Sequence, residues 1–296
     1  MPLRPAVELL TRARAAGYAV GYFESWNLES LQGTLDAAEE CRAPAFIGFN
    51  GEHLSRDGRL CEERLSWYAG LGRAAAASAR VPCSLVFNEC AQDSWVRQAV
   101  DLGFGLVMPD DPGAPVQDFA RRVGEVVRYA HARGVAVEAE VGQLPSGETG
   151  RVMGGEGGFT DPEEAARFAV ETGIDLLAVS AGNVHVLLTG SQALDLGRLE
   201  AIRRRTDVPF DLHGGTGIAA DSLRDAIRLG VAKVCYGTYV KQRYLAALAR
   251  LLGEEEPNPH RRLGWGGPED LLVAGRRAVR EAVLQRIESL GCCGRA

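Results

Sequence analysis

The amino-acid sequence predicts an α/β fold, a (β/α)8 TIM barrel with a C-terminal helical extension. Three observations point there. Eight short apolar, β-branched runs recur along the chain; helical patterns with apolar residues three and four apart lie between them; and no G-x-G-x-x-G turn follows the first run. The last observation weighs against a doubly wound open sheet, whose dinucleotide-binding turn belongs at that place. With 296 residues, 46% of them hydrophobic and 24% charged, the chain is long enough to bury a complete core.

The predicted strands are, in order, "AVGYFE" (19–24), "PAFIGF" (44–49), "PCSLVF" (82–87), "FGLVMP" (104–109), "VAVEAE" (135–140), "IDLLAVS" (174–180), "VPFDLH" (208–213) and "VAKVCYG" (231–237). Helices are expected in "LESLQGTLDAAEEC", "VQDFARRVGEVVRYAHARG", "DPEEAARFAVETG" and "DSLRDAIRLG". Several end on a glycine that suits a left-handed C-cap, and "TDPEEA" offers Thr160 or Asp161 as N-cap with Pro162 in the first turn. Residues 142–159 form a glycine-rich insertion after the fifth strand, longer than an ordinary βα loop and expected to serve as an active-site lid. Residues 1–252 are read as the barrel. Residues 253–296 are read as a linker and helical extension that packs on the barrel or on a partner subunit.

The net charge of −6, with both signs mixed along the chain, argues against a nucleic-acid surface or a polybasic membrane anchor and favours a small-molecule partner. No uncharged run is long enough to span a membrane and the N-terminus lacks a continuous apolar core, so a cytoplasmic protein is expected. Seven irregularly spaced cysteines suggest neither a disulfide framework nor a C-x-x-C zinc site.

Barrel enzymes carry their chemistry at the C-terminal ends of the strands. The polar residues expected there include Glu24, Asn50, Asn88 with Glu89, Asp110, Glu138 with Glu140, His185, His213 and Thr238. His185 and His213 follow adjacent strands and can reach one point, and imidazole with carboxylate is a ligand set for a divalent transition metal; the alternative is a pair of hydrogen-bonded loop histidines. Glu138 and Glu140 share one strand face, and an inward pair requires a cation nearby. Asn88 and Glu89 are consecutive, so Glu89 reaches a metal only if the strand has ended there. Gly214, Gly215 and Thr216 form a turn after strand seven that suits a phosphate, with Gly237 and Thr238 after strand eight as the other wall. His53 lies in a loop with no partner suggested by the sequence.

Over nearly the whole chain, from "GYAVGYFESWNLESLQGTLDAAEE" through "YAHARGVAVEAEVG" and "TDPEEAARFAVETGIDLLAVSAGNVH" to "FDLHGGTGI" and "LGVAKV", the sequence resembles the class II, metal-dependent fructose-bisphosphate and tagatose-bisphosphate aldolases. The resemblance implies a zinc-dependent lyase that splits a phosphorylated ketose into dihydroxyacetone phosphate and an aldehyde through an enediolate. It implies metal ligands at His185 and His213, Glu140 at or beside the metal, a phosphate loop at Gly214, Gly215, Thr216 and Thr238, and Glu148 as the group that exchanges a proton with carbon. A homodimer or homotetramer is also implied.

Several positions depart from that family. Its His-x-Asp-His segment reads Val86, Phe87, Asn88, Glu89 here, so the proton-donating aspartate is an amide and a metal histidine is a glutamate. A His, His, Glu set still binds a divalent metal and also suits Mn, Fe or Co. Glu24 replaces an asparagine, and its charge beside a phosphate loop points to a substrate with one phosphate or none, or with an amine. Three functions remain open from the sequence: a divergent aldolase-like lyase in which Glu24 or a water held by Asn88 supplies the second proton transfer; an isomerase, epimerase or specialised biosynthetic enzyme using the same enediolate chemistry; and a non-catalytic protein that binds a sugar phosphate or a protein partner.

Overall fold

In a computed structural model, which describes residues 2–146 and 158–296, eight parallel strands close into a barrel in sequence order. They are β1 (Val20–Glu24), β2 (Ala45–Asn50), β3 (Cys83–Cys90), β4 (Leu106–Pro109), β5 (Ala136–Val141), β6 (Leu176–Val179), β7 (Phe210–Leu212) and β8 (Val231–Tyr236). β8 pairs back onto β1, with Val20 opposite Lys233 and Phe23 opposite Tyr236. Each of the eight apolar runs overlaps one strand, with β2, β3 and β5 running on to Asn50, Cys90 and Val141, past the predicted ends. Nearly every strand residue is buried, because one face meets the barrel interior and the other the helix layer.

Local chemistry sets the helix ends. Helix Leu28–Cys41 starts at Asn27, whose side chain accepts from Ser30 N in a capping box, and stops at Arg42 in the left-handed region. Helix Pro162–Thr172 is capped by Asp161 and ends at Gly173, φ 72°. Thr160 is not the cap: its hydroxyl accepts from Ser180 N and donates to the Val141 carbonyl, tying β5 to β6.

The last long helix, Leu271–Ser289, lies across helices Leu28–Cys41 and Thr238–Leu252. Gly33 makes room for it, since a Cβ there would sit 2.5 Å from the Arg276 carbonyl and 2.8 Å from Val279, and Gly275 does the same against Tyr244. Arg276 clasps Asp36 through two hydrogen bonds of 2.6 and 2.7 Å. The Leu290 carbonyl then accepts from Ala19 N at the entry to β1. Among the described residues no helix is long and apolar enough to cross a membrane.

Candidate active site

A cavity of about 460 Å³ opens at the C-terminal ends of the strands, and its walls include Glu24, Asn50, Asn88, His185, His213 and Thr216. His213 leaves β7 at the centre of it, 2% exposed. Its Nδ1 lies 2.7 Å from Glu89 Oε1, and its Nε2 lies 3.0 Å from both Glu138 Oε1 and Asp211 Oδ2. His185 stacks on the same ring at 5.6 Å, nearly parallel, and places Nε2 3.4 Å from Glu89 Oε1. Asn183 fixes this arrangement, donating from one amide to the carbonyls of Val179 and His213 and so tying β6 to the end of β7.

Glu89 reaches this point although β3 has not ended. It stands at φ 49°, and the β3–β4 register shifts between Phe87 and Cys90, so a bulge turns consecutive residues Asn88 and Glu89 to the same cavity. A left-handed glutamate is uncommon and is held by its surroundings. Asn50 Nδ2 donates to Glu89 Oε2 at 2.6 Å. Burial opposes ionisation of Glu89, but His213, His185 and Lys233 outweigh it and keep the carboxylate well below its ordinary range.

One oxygen of Glu89 and one ring nitrogen each of His185 and His213 lie within 4.8 Å of one another. The donor set fits a divalent cation. On His213 one nitrogen faces the cluster while the other is anchored by carboxylates, the usual orientation of a metal-binding imidazole. Glu140, the fourth candidate from the sequence, is not in this cluster. It faces the end of β4 and the segment after β5, in a neighbouring cavity of about 290 Å³ shared with Asp110 and Gln143. Burial there pushes its carboxyl up to about 8, Asp110 and Glu89 adding to the rise against the opposing His213. Glu148 lies outside the described residues.

The cation that an inward Glu138 requires is Lys233, which sequence reasoning missed together with Asp211 and Cys235. The fully buried ammonium lies 2.7 Å from Glu138 Oε2, 2.8 Å from Asp211 Oδ2 and 3.2 Å from Cys235 Sγ. Asp211, His213 and Cys235 also meet ligand spacing, but the ammonium already supplies positive charge there. Burial alone would raise Asp211 and lower Lys233; their mutual attraction reverses both, leaving the aspartate well below and the lysine well above its usual range. The readable signal was a charged residue two positions from a polar one inside an apolar strand: Asp211 with His213, and Lys233 with Cys235.

The Gly214 to Thr216 turn takes its shape from close contacts. Gly214 has φ 66° and a Cβ on it would lie 2.1 Å from the Val184 carbonyl, while one on Gly215 would strike Val234. Thr216 Oγ1 accepts from Tyr239 N, joining the turn to the start of helix Thr238–Leu252. Gly237 faces Glu24, whose Oε2 would be 2.4 Å from a Cβ there.

Glu24 is not a bare negative charge. Its Oε1 accepts from Lys241 Nζ at 2.6 Å and lies 3.1 Å from His53 Nδ1. Burial raises its pKa, but His53 and Lys241 more than offset this and lower it. The expected repulsion of a phosphate is therefore largely neutralised, and His53 does have a partner. Neither link was legible in the sequence, because it joins three separate strand ends.

Comparison with known proteins shows the family and the fold. The family model described as fructose-bisphosphate aldolase class-II matches residues 4–295. A fructose-bisphosphate aldolase of Geobacillus stearothermophilus is 33% identical over 296 residues, covering 100% of this chain and 99% of the relative. The YdjI aldolase of Escherichia coli K12 superposes with a TM-score of 0.81 at 28% identity, over 99% of each chain. A fructose-bisphosphate aldolase from Campylobacter jejuni shares the fold, with a TM-score of 0.78 at 20% identity over 99% of this chain and 97% of that one.

Proposed function

This chain belongs to the class II fructose-bisphosphate aldolase family and is an aldolase-type lyase; from that premise we propose that it makes and breaks a carbon–carbon bond in a ketose phosphate, in the cavity where Glu89, His185 and His213 meet. The single observation that carries this reading is the convergence of those three side chains beside the Gly214 to Thr216 turn. Together they would hold a divalent cation, zinc by the family resemblance, with Mn, Fe or Co also suited to one carboxylate and two imidazoles. When bound, such an ion polarises a substrate carbonyl as a Lewis acid.

The chain's own groups do the rest. Asp211 and Glu138 hold His213 by Nε2, and Asn50 holds Glu89, so the ligand atoms are oriented before substrate arrives. The Gly214 to Thr216 turn and the hydroxyl of Thr216 would receive a phosphate, with Thr238 on the same cavity wall. With Lys241 already engaged by Glu24, and Glu52 also on the cavity wall, one phosphate is better matched than two. By resemblance Glu148 exchanges the proton on carbon.

Two assays test the proposal. The protein should exchange solvent deuterium into dihydroxyacetone phosphate, followed by NMR, and should release an aldehyde from ketose 1-phosphates faster than from ketose 1,6-bisphosphates. Absence of deuterium exchange in metal-replete protein would contradict the proposal.

A further inference from the structure

We propose that His53, oriented by Glu24, is the catalytic residue that takes the hydroxyl proton when the carbon–carbon bond breaks and returns it when the bond forms. This inference rests on the lyase reading above. Cleavage of an aldol requires a base at the hydroxyl that becomes the aldehyde oxygen. In the balanced step that O–H proton passes to His53 Nε2, the carbon–oxygen bond gains its second pair as the carbon–carbon bond breaks, and the released pair enters the enediolate; the reverse step returns the proton.

The other groups on the cavity wall do not suit this task. Asn88 is an amide and removes no proton. Burial, assisted by Asp211, pushes the Cys235 thiol up to about 12, and burial puts the Tyr22 phenol well above its usual range. Glu24 is held as a carboxylate by His53 and Lys241. Glu52 lines the same cavity but has no partner that fixes its direction among the described residues.

His53 has such a partner. Its Nδ1 edge is engaged by Glu24 Oε1 at 3.1 Å and lies 3.4 Å from Lys241 Nζ, which leaves Nε2 for a ligand in the cavity that His53 lines. An imidazole oriented by a carboxylate through one nitrogen is a common form of general base. The backbone of His53 is also tied to the proposed metal cluster. Asn50 Oδ1 accepts from His53 N at 3.1 Å, and the same amide donates to Glu89. A second observation points to a ligand here: Asn88, 2% exposed, lines this cavity with its Oδ1 lacking any hydrogen-bond partner among the described residues. That oxygen would accept from a substrate hydroxyl without taking its proton.

The experiment compares wild type, His53→Gln and Glu24→Gln in two reactions: deuterium exchange into dihydroxyacetone phosphate, and condensation of that compound with glycolaldehyde or glyceraldehyde. His53→Gln should keep exchange within about twofold and its metal content, while condensation falls by about 10²-fold or more. Glu24→Gln should lower condensation less. Condensation within threefold of wild type in His53→Gln overturns the proposal, as does an equal loss of both reactions. Wild-type protein that exchanges deuterium but condenses neither aldehyde also overturns it. Failure of the lyase reading itself shows differently, as wild-type protein without exchange.

Discussion

Two lysines of this protein each meet carboxylates, and the contrast between them explains how the site is built. Lys233 lies inside the barrel between Glu138 and Asp211, with all three side chains fully buried. Lys241 lies at the rim against Glu24, with about a third of its side chain exposed and His53 beside it. The chemistry is the same, but the surroundings differ. In the interior the charges have no water to fall back on, so each holds the others in one arrangement and His213 with them. At the rim a substrate group can replace either partner at small cost. The interior cluster would then be rigid support for the proposed metal ligands, and the rim cluster the part left to bind substrate and to move protons.

The sharpest way to break this comparison is to remove each ammonium in turn. Lys233→Met leaves two buried carboxylates without their cation and should cost about 3–5 kcal/mol in denaturant unfolding. A cost below about 1 kcal/mol would show that the interior charges are not coupled as described.

Glu140 gives the next effect, through pH. Its folded pKa of about 8 exceeds the ordinary 4.5, so the folded state binds a proton that the unfolded chain has released. Its contribution to stability is therefore complete below about 4.5 and is lost as pH rises to about 8. Denaturation midpoints of metal-free protein should fall across that window, and Glu140→Gln should flatten the fall; an unchanged slope would contradict the assignment.

Lys241→Met should have the smallest effect on stability, within about 1 kcal/mol, because its ion pair is partly solvated. It should nevertheless slow turnover, since Glu24 loses a partner beside His53. A stability loss as large as that of Lys233→Met would erase the distinction between the two regions.

The sequence made some of this legible and hid the rest for physical reasons. Every strand could be located because a barrel strand is covered on both faces and reads as a continuous apolar run between turn residues. His185, His213 and the glycine turn stood out because they follow strand ends, where polar residues have no structural reason to gather. Lys233 and Asp211 did not stand out, because each is a single charge inside an apolar run and its partner lies on another strand. Glu89 looked doubtful by strand alternation, since a bulge leaves no mark in a residue pattern. His53 sits on the short helix Gly51–Ser55 and meets Glu24 only because β1 and β2 lie side by side.

The measurement closest to the central claim is the metal content of purified, reconstituted protein by plasma mass spectrometry, alongside Glu89→Gln and His213→Ala. The account predicts about one divalent ion per chain in wild type and its loss or marked weakening in both variants. Wild type without metal, or a Glu89→Gln variant that binds it as tightly as wild type, would contradict the assignment of Glu89, His185 and His213 as the site.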